Sequence, residues 1–391
     1  MKYIRHTAIL LVMTFFLSLI GCAGQSTLSL PDKPSEGIGV ATVCAVGDLF
    51  PTDDMLADAK QADGSYDFKP QFANIISDIS AADIALGNLE GNFDNERDGE
   101  GNYPAAFASA LAHTGFDLLQ TANSFTIQNG LSGLERTKSV IASENMTALG
   151  SFSSKEDRAE NAVILREVHG IRIAFVAFTK GMNGMGLPSG AEYCVNLLYT
   201  DYSSNYSVID TAGITKVLEE AKTLEPDVII AALHWGSENV DEISESQEKI
   251  ADLMFQNGVD VIIGSHSHRV GAVEYRTITE KNGNTKNVVL AYGLGDFCAG
   301  RAGNVSGSVI LNLEFTRDHA KGTTTITRAS CTPVATVDNG TSTERFSVLN
   351  ADAAIALYED NYYKRVSETL YEQLLSVRNS VLESIAPDVA E

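Results

Sequence analysis

Unbroken apolar runs, rich in β-branched residues, recur along the chain. They cover residues 41–46, 84–86, 116–119, 171–178, 228–233, 259–263 and 288–291. Continuous rather than alternating hydrophobicity is typical of strands that are covered on both faces, as in parallel sheets. We therefore predict that these runs are strands of a largely parallel sheet.

Helical patterns lie between several of these runs. After Pro70, four apolar residues share one helical face through i, i+3, i+4, i+7 spacing: Phe72, Ile75, Ile76 and Ile79. A second helix is predicted to begin at Ser244, which forms a capping-box pattern with Gln247, and to end at Gly258. Its apolar stripe consists of Ile250, Leu253 and Met254. Alternating strands and helices indicate an α/β fold.

The last part of the chain differs in character. Residues 323–331 are predicted to be a β-rich extension of the core, and residues 351–385 show a long amphipathic helix pattern. Its apolar positions are Leu357, Tyr358, Tyr362, Val366, Leu370, Leu374 and Val377. Such a helix either packs back on the domain or binds a partner.

Polar residues follow most of the predicted strands at the points where they end. They are Asp48, Glu90, Asn123, His234, His266, His268 and Asp296. Because the carboxyl ends of parallel strands lie along one edge of a sheet, we expect these side chains to converge there. Each residue alone is compatible with a turn, a helix cap or a packed core position. Their conjunction favours a metal or anion site at this edge.

The residue types at this edge indicate which ion would bind. Carboxylate, amide and imidazole groups together suit Mn, Fe or Zn, as one or two ions, rather than a soft thiolate site. His266 and His268 lie on one side of an extended segment and can reach one cluster together. No Cys-x-x-Cys spacing occurs, and Cys44 lies within an apolar run, which predicts a buried thiol.

The first residues predict export. A positive start (Met1-Lys2-Tyr3-Ile4-Arg5) precedes an apolar run over residues 7–20, which is too short for a stable bilayer-crossing helix. The run ends in Leu19-Ile20-Gly21-Cys22, which resembles a bacterial lipobox. We predict a lipoprotein signal peptide over residues 1–21 and lipidation at Cys22, which would place the protein outside the cytoplasm on a membrane anchor. The alternative is an uncleaved anchor in which Cys22 is incidental.

Composition changes after the anchor and sets the domain organisation. Residues 22–38 are rich in Ser, Pro and Gly and predict a flexible tether. We then expect the main domain at residues 39–335 and a C-terminal extension with the long helix at residues 336–391.

The net charge is −23, with 28 basic against 51 acidic residues, which argues against nucleic acid as a partner. An anionic substrate would need a local positive centre such as a metal ion.

The motifs at the strand ends resemble the bacterial capsule-synthesis family, whose associated polymer is poly-γ-glutamate and which is related to calcineurin-like metallophosphoesterases. The matching motifs are Gly47-Asp48, Asn88-Leu89-Glu90, Ala122-Asn123, His234-Trp235-Gly236-Ser237-Glu238, Gly264-Ser265-His266-Ser267-His268 and Tyr292-Gly293-Leu294-Gly295-Asp296-Phe297. The resemblance implies a metallophosphoesterase-like four-layer sandwich of two sheets flanked by helices. It also places Asp48, Glu90, Asn123, His234, His266 and His268 at the positions of metal ligands.

Two departures from the family pattern bear on activity. The phosphoesterase Asp-x-His is Asp48-Leu49-Phe50 here, and the usual Ala-Asn-Asn-His loses its histidine at Phe125. Phenylalanine neither donates a proton nor binds an ion. Ordinary phosphodiester hydrolysis would therefore lack its general acid. Asp296, where the family often has Asn, adds a carboxylate that could restore some proton transfer.

Three functional readings follow. The first is a surface component of capsule or polymer biosynthesis with a metal-binding site, whose partners are the polymer or its precursor, the membrane and capsule-synthesis membrane proteins. The second is an active metal-dependent hydrolase, with Asp48, His234 and Asp296 as the candidate catalytic residues. The third is a non-catalytic scaffold that holds polymer.

Overall fold

The computed structural model describes residues 37–97, 99–280, 283–340, 345–361 and 366–385. The strands are β1 (Ile38–Leu49), β2 (Ile84–Leu89), β3 (Asn92–Phe93), β4 (Asn102–Tyr103), β5 (Leu118–Gln120), β6 (Thr147–Leu149), β7 (Ile164–Val168), β8 (Ile171–Thr179), β9 (Val228–His234), β10 (Val261–Ser265), β11 (Val273–Thr279), β12 (Thr285–Ala291), β13 (Val305–Asp318), β14 (Thr323–Asp338) and β15 (Phe346–Asn350). The helices are α1 (Asp53–Ala59), α2 (Lys69–Phe72), α3 (Ile76–Ser80), α4 (Ala105–Thr114), α5 (Gly130–Ser143), α6 (Lys155–Asn161), α7 (Thr211–Thr223), α8 (Glu245–Gln256), α9 (Ala351–Glu359) and α10 (Glu368–Ser384).

Two mixed sheets form the centre of the domain. The first has the strand order β15-β14-β13-β1-β2-β5-β6, and the second has the order β11-β12-β10-β9-β8-β7. In the first sheet β1, β2, β5 and β6 are parallel, whereas β13, β14 and β15 add antiparallel pairs. In the second sheet β8, β9, β10 and β12 are parallel, with antiparallel β7 and β11 at the edges. The seven predicted strands are therefore confirmed, divided between two sheets.

Apolar side chains fill three layers around these sheets. One cluster lies between the sheets and joins residues such as Val43, Leu311 and Ile230. A second packs the first sheet against α1–α5, and a third packs the second sheet against α7 and α8. Strands that are buried on both faces need continuous hydrophobicity, which is the pattern that predicted them. The expected four-layer α/β sandwich is confirmed.

The predicted helices differ in how well they match. The capping box between Ser244 and Gln247 is present at the start of α8, and Gly258 follows its end with a φ of +103°. The face that begins at Phe72 is instead divided between α2 and α3, because residues 73–75 form turns. Phe72, Ile75 and Ile79 are nevertheless buried, so the apolar pattern reports burial correctly although the helix is interrupted.

The C-terminal residues extend the first sheet and then form two helices. The predicted β-rich extension is β14, which continues to Asp338 across the boundary predicted at residue 335; that domain boundary stays a prediction. The prediction of a single helix over residues 351–385 is wrong, because this segment forms two helices. α9 ends at Glu359 with Asp360 as its cap, Asn361 follows with a φ of +67°, and α10 begins after the capping residue Ser367. Tyr362 lies outside the described residues.

The two C-terminal helices pack back on the domain. Tyr358 of α9 stacks on Tyr371 of α10 with ring centroids 4.2 Å apart. Leu374 is fully buried in a cluster with residues of β14, and Val381 joins the cluster between the sheets. The packing alternative for this segment is thus confirmed.

The predicted signal peptide, Cys22 and nearly all of the predicted tether lie outside the described residues. None of the helices in the described part of the chain has both the length and the apolar character that a bilayer crossing requires. The four described cysteines are free thiols, and burial raises the pKa of Cys44 to about 12, as expected for the predicted buried thiol.

Candidate metal centre

The end of β1 pairs with the segment that follows β12. Asp48 donates its backbone N–H to the carbonyl of Gly295 over 2.8 Å, and the N–H of Phe297 donates to the Asp48 carbonyl over 2.9 Å. This pairing places Asp296, which lies in the segment after β12 of the second sheet, beside Asp48 of β1 in the first sheet. The strand ends of both sheets therefore face one common edge, as the sequence predicts.

A first group of three predicted ligands is fully enclosed. Glu90, His234 and His266 have ligand atoms that all lie within 4.8 Å of one another. Glu90 Oε1 is 3.6 Å from His234 Nε2, and the rings of His234 and His266 have centroids 4.4 Å apart. All three side chains are buried. This group can offer two imidazole nitrogens and one carboxylate to an ion.

A second group lies beside it and is more open. Asp48, His268 and Asp296 also bring three ligand atoms within 4.8 Å of one another. His268 Nδ1 is 2.7 Å from Asp296 Oδ1 and 3.5 Å from Asp48 Oδ2. The side chains of His268 and Asp296 are 19% and 23% exposed, whereas that of Asp48 is buried. Solvent or a ligand therefore reaches the centre from the side of this second group.

Asn88 connects the two groups. Its Nδ2 donates to Asp48 Oδ1 over 2.7 Å and to Glu90 Oε2 over 3.4 Å, so one amide holds a carboxylate from each group. Asp48 also accepts a hydrogen bond from the backbone N–H of His266. Sequence reasoning assigned Asn88 no role, although it lies in the Asn-Leu-Glu motif directly before Glu90. Its position two residues before Glu90, a predicted ligand at a strand end, is the feature of the sequence that could have indicated this role.

Asn123 reaches the same edge but uses its amide within the protein. Its Nδ2 donates to Asn88 Oδ1 over 3.0 Å and to the Leu89 carbonyl over 2.6 Å, and its Oδ1 accepts from the N–H of Phe125 over 3.0 Å. In this arrangement Asn123 orders the loop around Asn88. Its role as a metal ligand, implied by the family resemblance, stays a prediction.

Burial and neighbouring charge shift the pKa values of the two buried carboxyl groups, Asp48 and Glu90, upward. Burial, followed by the charge of Asp296, raises the pKa of Asp48 to about 7. Burial, followed by the charge of Asp48, raises the pKa of Glu90 well above its usual range. Three carboxyl groups in so small a volume disfavour one another's charge, and a bound cation would relieve this.

The three histidines differ because their surroundings differ. Burial lowers the pKa of His234 well below its usual value and lowers that of His266 to about 3. Burial also acts against the charged form of His268, but its hydrogen bond to Asp296 and the nearby carboxylates raise its pKa to about 10. His234 and His266 are thus neutral at physiological pH, which is the form that binds metals.

Two features of the His-x-His segment fit an ion in particular. His266 Nδ1 is buried and has no hydrogen-bond partner, one of two such side-chain atoms in the described part of the chain. A buried polar atom without a partner costs free energy unless something binds it. His266 and His268 also have φ values of +95° and +56°, a strained backbone that is found mostly at functional sites. The residues present therefore fit a divalent metal.

Phe50 and Phe125, the two departures from the family pattern, pack together beside the second ligand group. The Phe50 ring has its centroid 6.0 Å from that of Phe125 and 5.7 Å from that of His268. Phe125 also packs on Gly101, where an added Cβ would lie 2.4 Å from its ring. This apolar wall contributes no proton donor. Ser124, next in the chain, shares a 2.9 Å hydrogen bond with His234 Nε2.

Lys180 is a functional candidate that sequence reasoning missed. It directly follows β8, its N–H donates to the His234 carbonyl over 2.8 Å, and its charge helps lower the pKa of His234 and His266. The same strand-end rule, applied to the run at residues 171–178, would have found it. Asp296, expected only as a catalytic candidate, also joins a ligand group.

Comparisons with known proteins concern the same part of the chain. The family model described as "Bacterial capsule synthesis protein PGA_cap" matches residues 42–301. The PGA biosynthesis protein CapA of Bacillus subtilis (strain 168) is 25% identical over 220 residues, which are 54% of this chain and 52% of that protein. The capsule biosynthesis protein CapA of Bacillus anthracis is 22% identical over 191 residues, which are 48% and 41%. The chain thus spans about half the length of the curated relatives it matches.

Solved structures with a similar course of the chain include phosphatases. The calcineurin-like phosphoesterase YfkN from Bacillus subtilis has a TM-score of 0.41 and 13% identity, covering 87% of this chain and 99% of that one. A phosphatase from Mycoplasma pneumoniae has a TM-score of 0.43 and 12% identity, covering 76% and 94%.

Proposed function

The chain belongs to the bacterial capsule synthesis protein family PGA_cap, and on that premise we propose that it is a membrane-anchored, extracytoplasmic component of capsule or surface-polymer biosynthesis with a metal centre. The polymer, or its precursor, would be of the poly-γ-glutamate type, since one relative is described as a PGA biosynthesis protein. The lipobox-like sequence that ends at Cys22 supports the anchor and the location. Capsule-synthesis membrane proteins are the partners that this role implies.

One observation carries the proposal of a metal centre: two groups of three ligand atoms adjoin at the common edge of the sheets. Glu90, His234 and His266 would hold one ion, and Asp48, His268 and Asp296 would hold a second or share the first. Mn, Fe or Zn suits this mixture of imidazole and carboxylate donors. A bound ion would supply the positive charge that an anionic substrate needs at this acidic surface.

Residues around the ligands hold them in place. His234 is held through Nδ1, which pairs with Ser265 Oγ at 3.2 Å, and Nε2, which faces Glu90 and is 2.9 Å from Ser124 Oγ, is the nitrogen that an ion would bind in place of that serine contact. Asp296 orients the ring of His268. Partners of this kind fix the rotamer and tautomer of a metal-binding histidine and strengthen its binding.

The centre lacks the proton donor that the family pattern usually provides at the position of Phe125. Phe125 occupies that position and packs against Phe50. We infer that cleavage of an ordinary phosphodiester is slow, and that binding of an anionic polymer or precursor is the main role of the centre. Binding needs the positive charge but no proton transfer.

A second candidate, an active metal-dependent hydrolase, is favoured by one specific observation. His268 Nδ1 lies 2.7 Å from Asp296, its pKa is raised to about 10, and it is partly exposed at the opening. This imidazole therefore holds a proton at neutral pH where a leaving group could accept it. In this candidate His268 serves as the acid, and the buried group of Glu90, His234 and His266 holds the ion.

Elemental analysis of the purified full-length protein, supplied with Mn, Fe and Zn, tests the metal centre. We expect a stoichiometric transition metal that is lost in His266→Ala. The matched control is His113→Ala, an exposed histidine in α4, which should keep the metal. A native protein that retains no metal, or a His266→Ala variant that retains as much as native, would refute the centre.

A further inference from the structure

A cavity of about 410 Å³ opens beside the more exposed half of the metal centre. It is lined by His268, Arg269, Val270, Asp296, Val305, Ser306, Gly307, Asp241 and one face of α10. Its volume lies within the range of about 300–1,000 Å³ that is common for ligand sites. Because His268 and Asp296 form its inner end, a molecule in this cavity would touch the centre.

The outer wall of the cavity comes from α10. This helix contributes Val377, Ser380, Val381 and Ser384, all of which lie beyond residues 42–301, the part that the family model matches. The wall is held firmly, since a Cβ added at Gly307 of β13 would lie 2.7 Å from Val377 and 3.1 Å from Val381. α10 therefore packs directly on the backbone of the first sheet. Its position relative to the metal centre is fixed by this contact.

The lining has two kinds of surface. Val270, Val305 and Val377 provide apolar contact area, while Ser306, Ser380 and Ser384 add hydroxyl groups. A chain with short methylene segments between polar groups would match both surfaces, because its methylenes would contact the valines and its polar groups would form hydrogen bonds with the serine hydroxyls.

Arg269 supplies the positive charge. Among the described residues that line the cavity, it carries the one permanent cation. Its Nε lies 3.9 Å from Asp241 Oδ1, and the two side chains are 51% and 75% exposed, so this pair is weak and can yield to a ligand. A guanidinium group binds a carboxylate through two parallel hydrogen bonds. The nearby Asp296 carboxylate is already paired with His268 at 2.7 Å.

We propose that this cavity is the substrate cleft of the protein and that α10, outside the family-matched region, selects an extended chain with carboxylate groups and short methylene segments. Arg269 binds one carboxylate, and the face of α10 around Ser380 contacts the chain backbone. This inference rests on the proposed function, because it assumes that the adjoining centre is where the polymer or its precursor acts.

Binding of a γ-linked glutamate hexamer to the purified full-length protein, measured by calorimetry, tests the cleft. Ser380→Trp places a large ring in the cavity and should weaken binding at least tenfold, while Asn379→Trp, on the opposite side of α10, should change it less than twofold. Arg269→Gln should weaken binding at least fivefold, with Arg269→Lys in between. Both positions on α10 are exposed, so neither substitution disturbs the core.

Two competing probes define the chemistry of the ligand. A glutamine hexamer, which lacks the carboxylates, and inorganic sulfate, which lacks the methylenes, should each bind at least tenfold more weakly than the glutamate hexamer. Equal binding of either probe, or unchanged hexamer binding by Ser380→Trp, would overturn the proposal.

Metal content measured on the same samples separates this inference from the proposed function. If Ser380→Trp keeps its metal and binds the hexamer like native, the cleft is wrong and the metal centre stands. If native protein holds no metal but its hexamer binding is lost in Ser380→Trp, the cleft stands and the metal centre is wrong.

Discussion

Replacing Phe125 with histidine tests whether the missing proton donor limits turnover. Phe125 is 8% exposed, and its ring centroid is 6.0 Å from that of Phe50. It directly follows Ser124, which contacts His234. An imidazole there would lie between Phe50 and Ser124, beside the ligand groups. General acid catalysis is worth about 10² to 10⁴ in rate, and a group introduced without its own supporting partners should recover part of this. We expect Phe125→His to raise metal-dependent phosphodiesterase activity at least about tenfold.

The assay is hydrolysis of a chromogenic phosphodiester by metal-loaded full-length protein, with kcat and KM measured separately. A restored acid acts in the transition state, so kcat should rise with little change in KM. Phe125→Leu is the matched control, because it opens the same space without a proton donor and should leave the rate near native. The substitution to histidine exposes a polar ring to an apolar wall and should cost about 1–2 kcal/mol of stability.

Two outcomes would refute this reasoning. Equal activity of Phe125→His and Phe125→Leu would show that the missing donor is not what limits the rate. Rapid hydrolysis by the native protein, abolished in Asp48→Ala or His234→Ala, would show that another group already supplies the proton. The pair of His268 and Asp296 would then be the candidate, and Asp296→Asn should abolish the activity.

Three further predictions concern the anchor, the ligands and the packing beneath them. Cys22→Ala should move the protein from the membrane to the soluble fraction, and equal membrane retention would contradict lipidation. His268→Ala should lower bound metal, and the metal affinity of the native protein should rise as the pH rises from about 7 toward 10, because the pKa values of Asp48 and His268 are raised to about 7 and about 10 and both groups must lose a proton to bind an ion. A pH-independent metal affinity would contradict ligation by these groups. Gly264→Ala should lower the free energy of unfolding by about 1–3 kcal/mol, because its Cβ would lie 2.1 Å from the Tyr292 carbonyl oxygen. Gly186→Ala is the control and should leave the stability nearly unchanged, because no atom lies within 4 Å of its added Cβ. Denaturant unfolding measures both variants.

The sequence by itself determined the parts that depend on local pattern. Strands buried on both faces need continuous apolar residues, so the seven runs predicted their strands. The common direction of parallel strands then predicts that Asp48, Glu90, His234 and His266 lie at one edge. The capping box of Ser244 is local in the same sense, since both partners lie within one turn.

Tertiary structure alone decided how those residues divide and what surrounds them. The split into two ligand groups depends on the pairing of Asp48 in β1 with Asp296 in the segment after β12. These residues are about 250 positions apart in the chain, and no spacing rule encodes their contact. The orientation of the Asn123 amide depends on Asn88, and the break between α9 and α10 depends on the left-handed backbone of Asn361. α10 can form a wall of the cavity because Gly307 has no Cβ, which lets Val377 approach the backbone of β13. Local pattern predicts which residues are buried or polar, whereas contacts between distant segments are set by packing, which no short stretch of sequence contains.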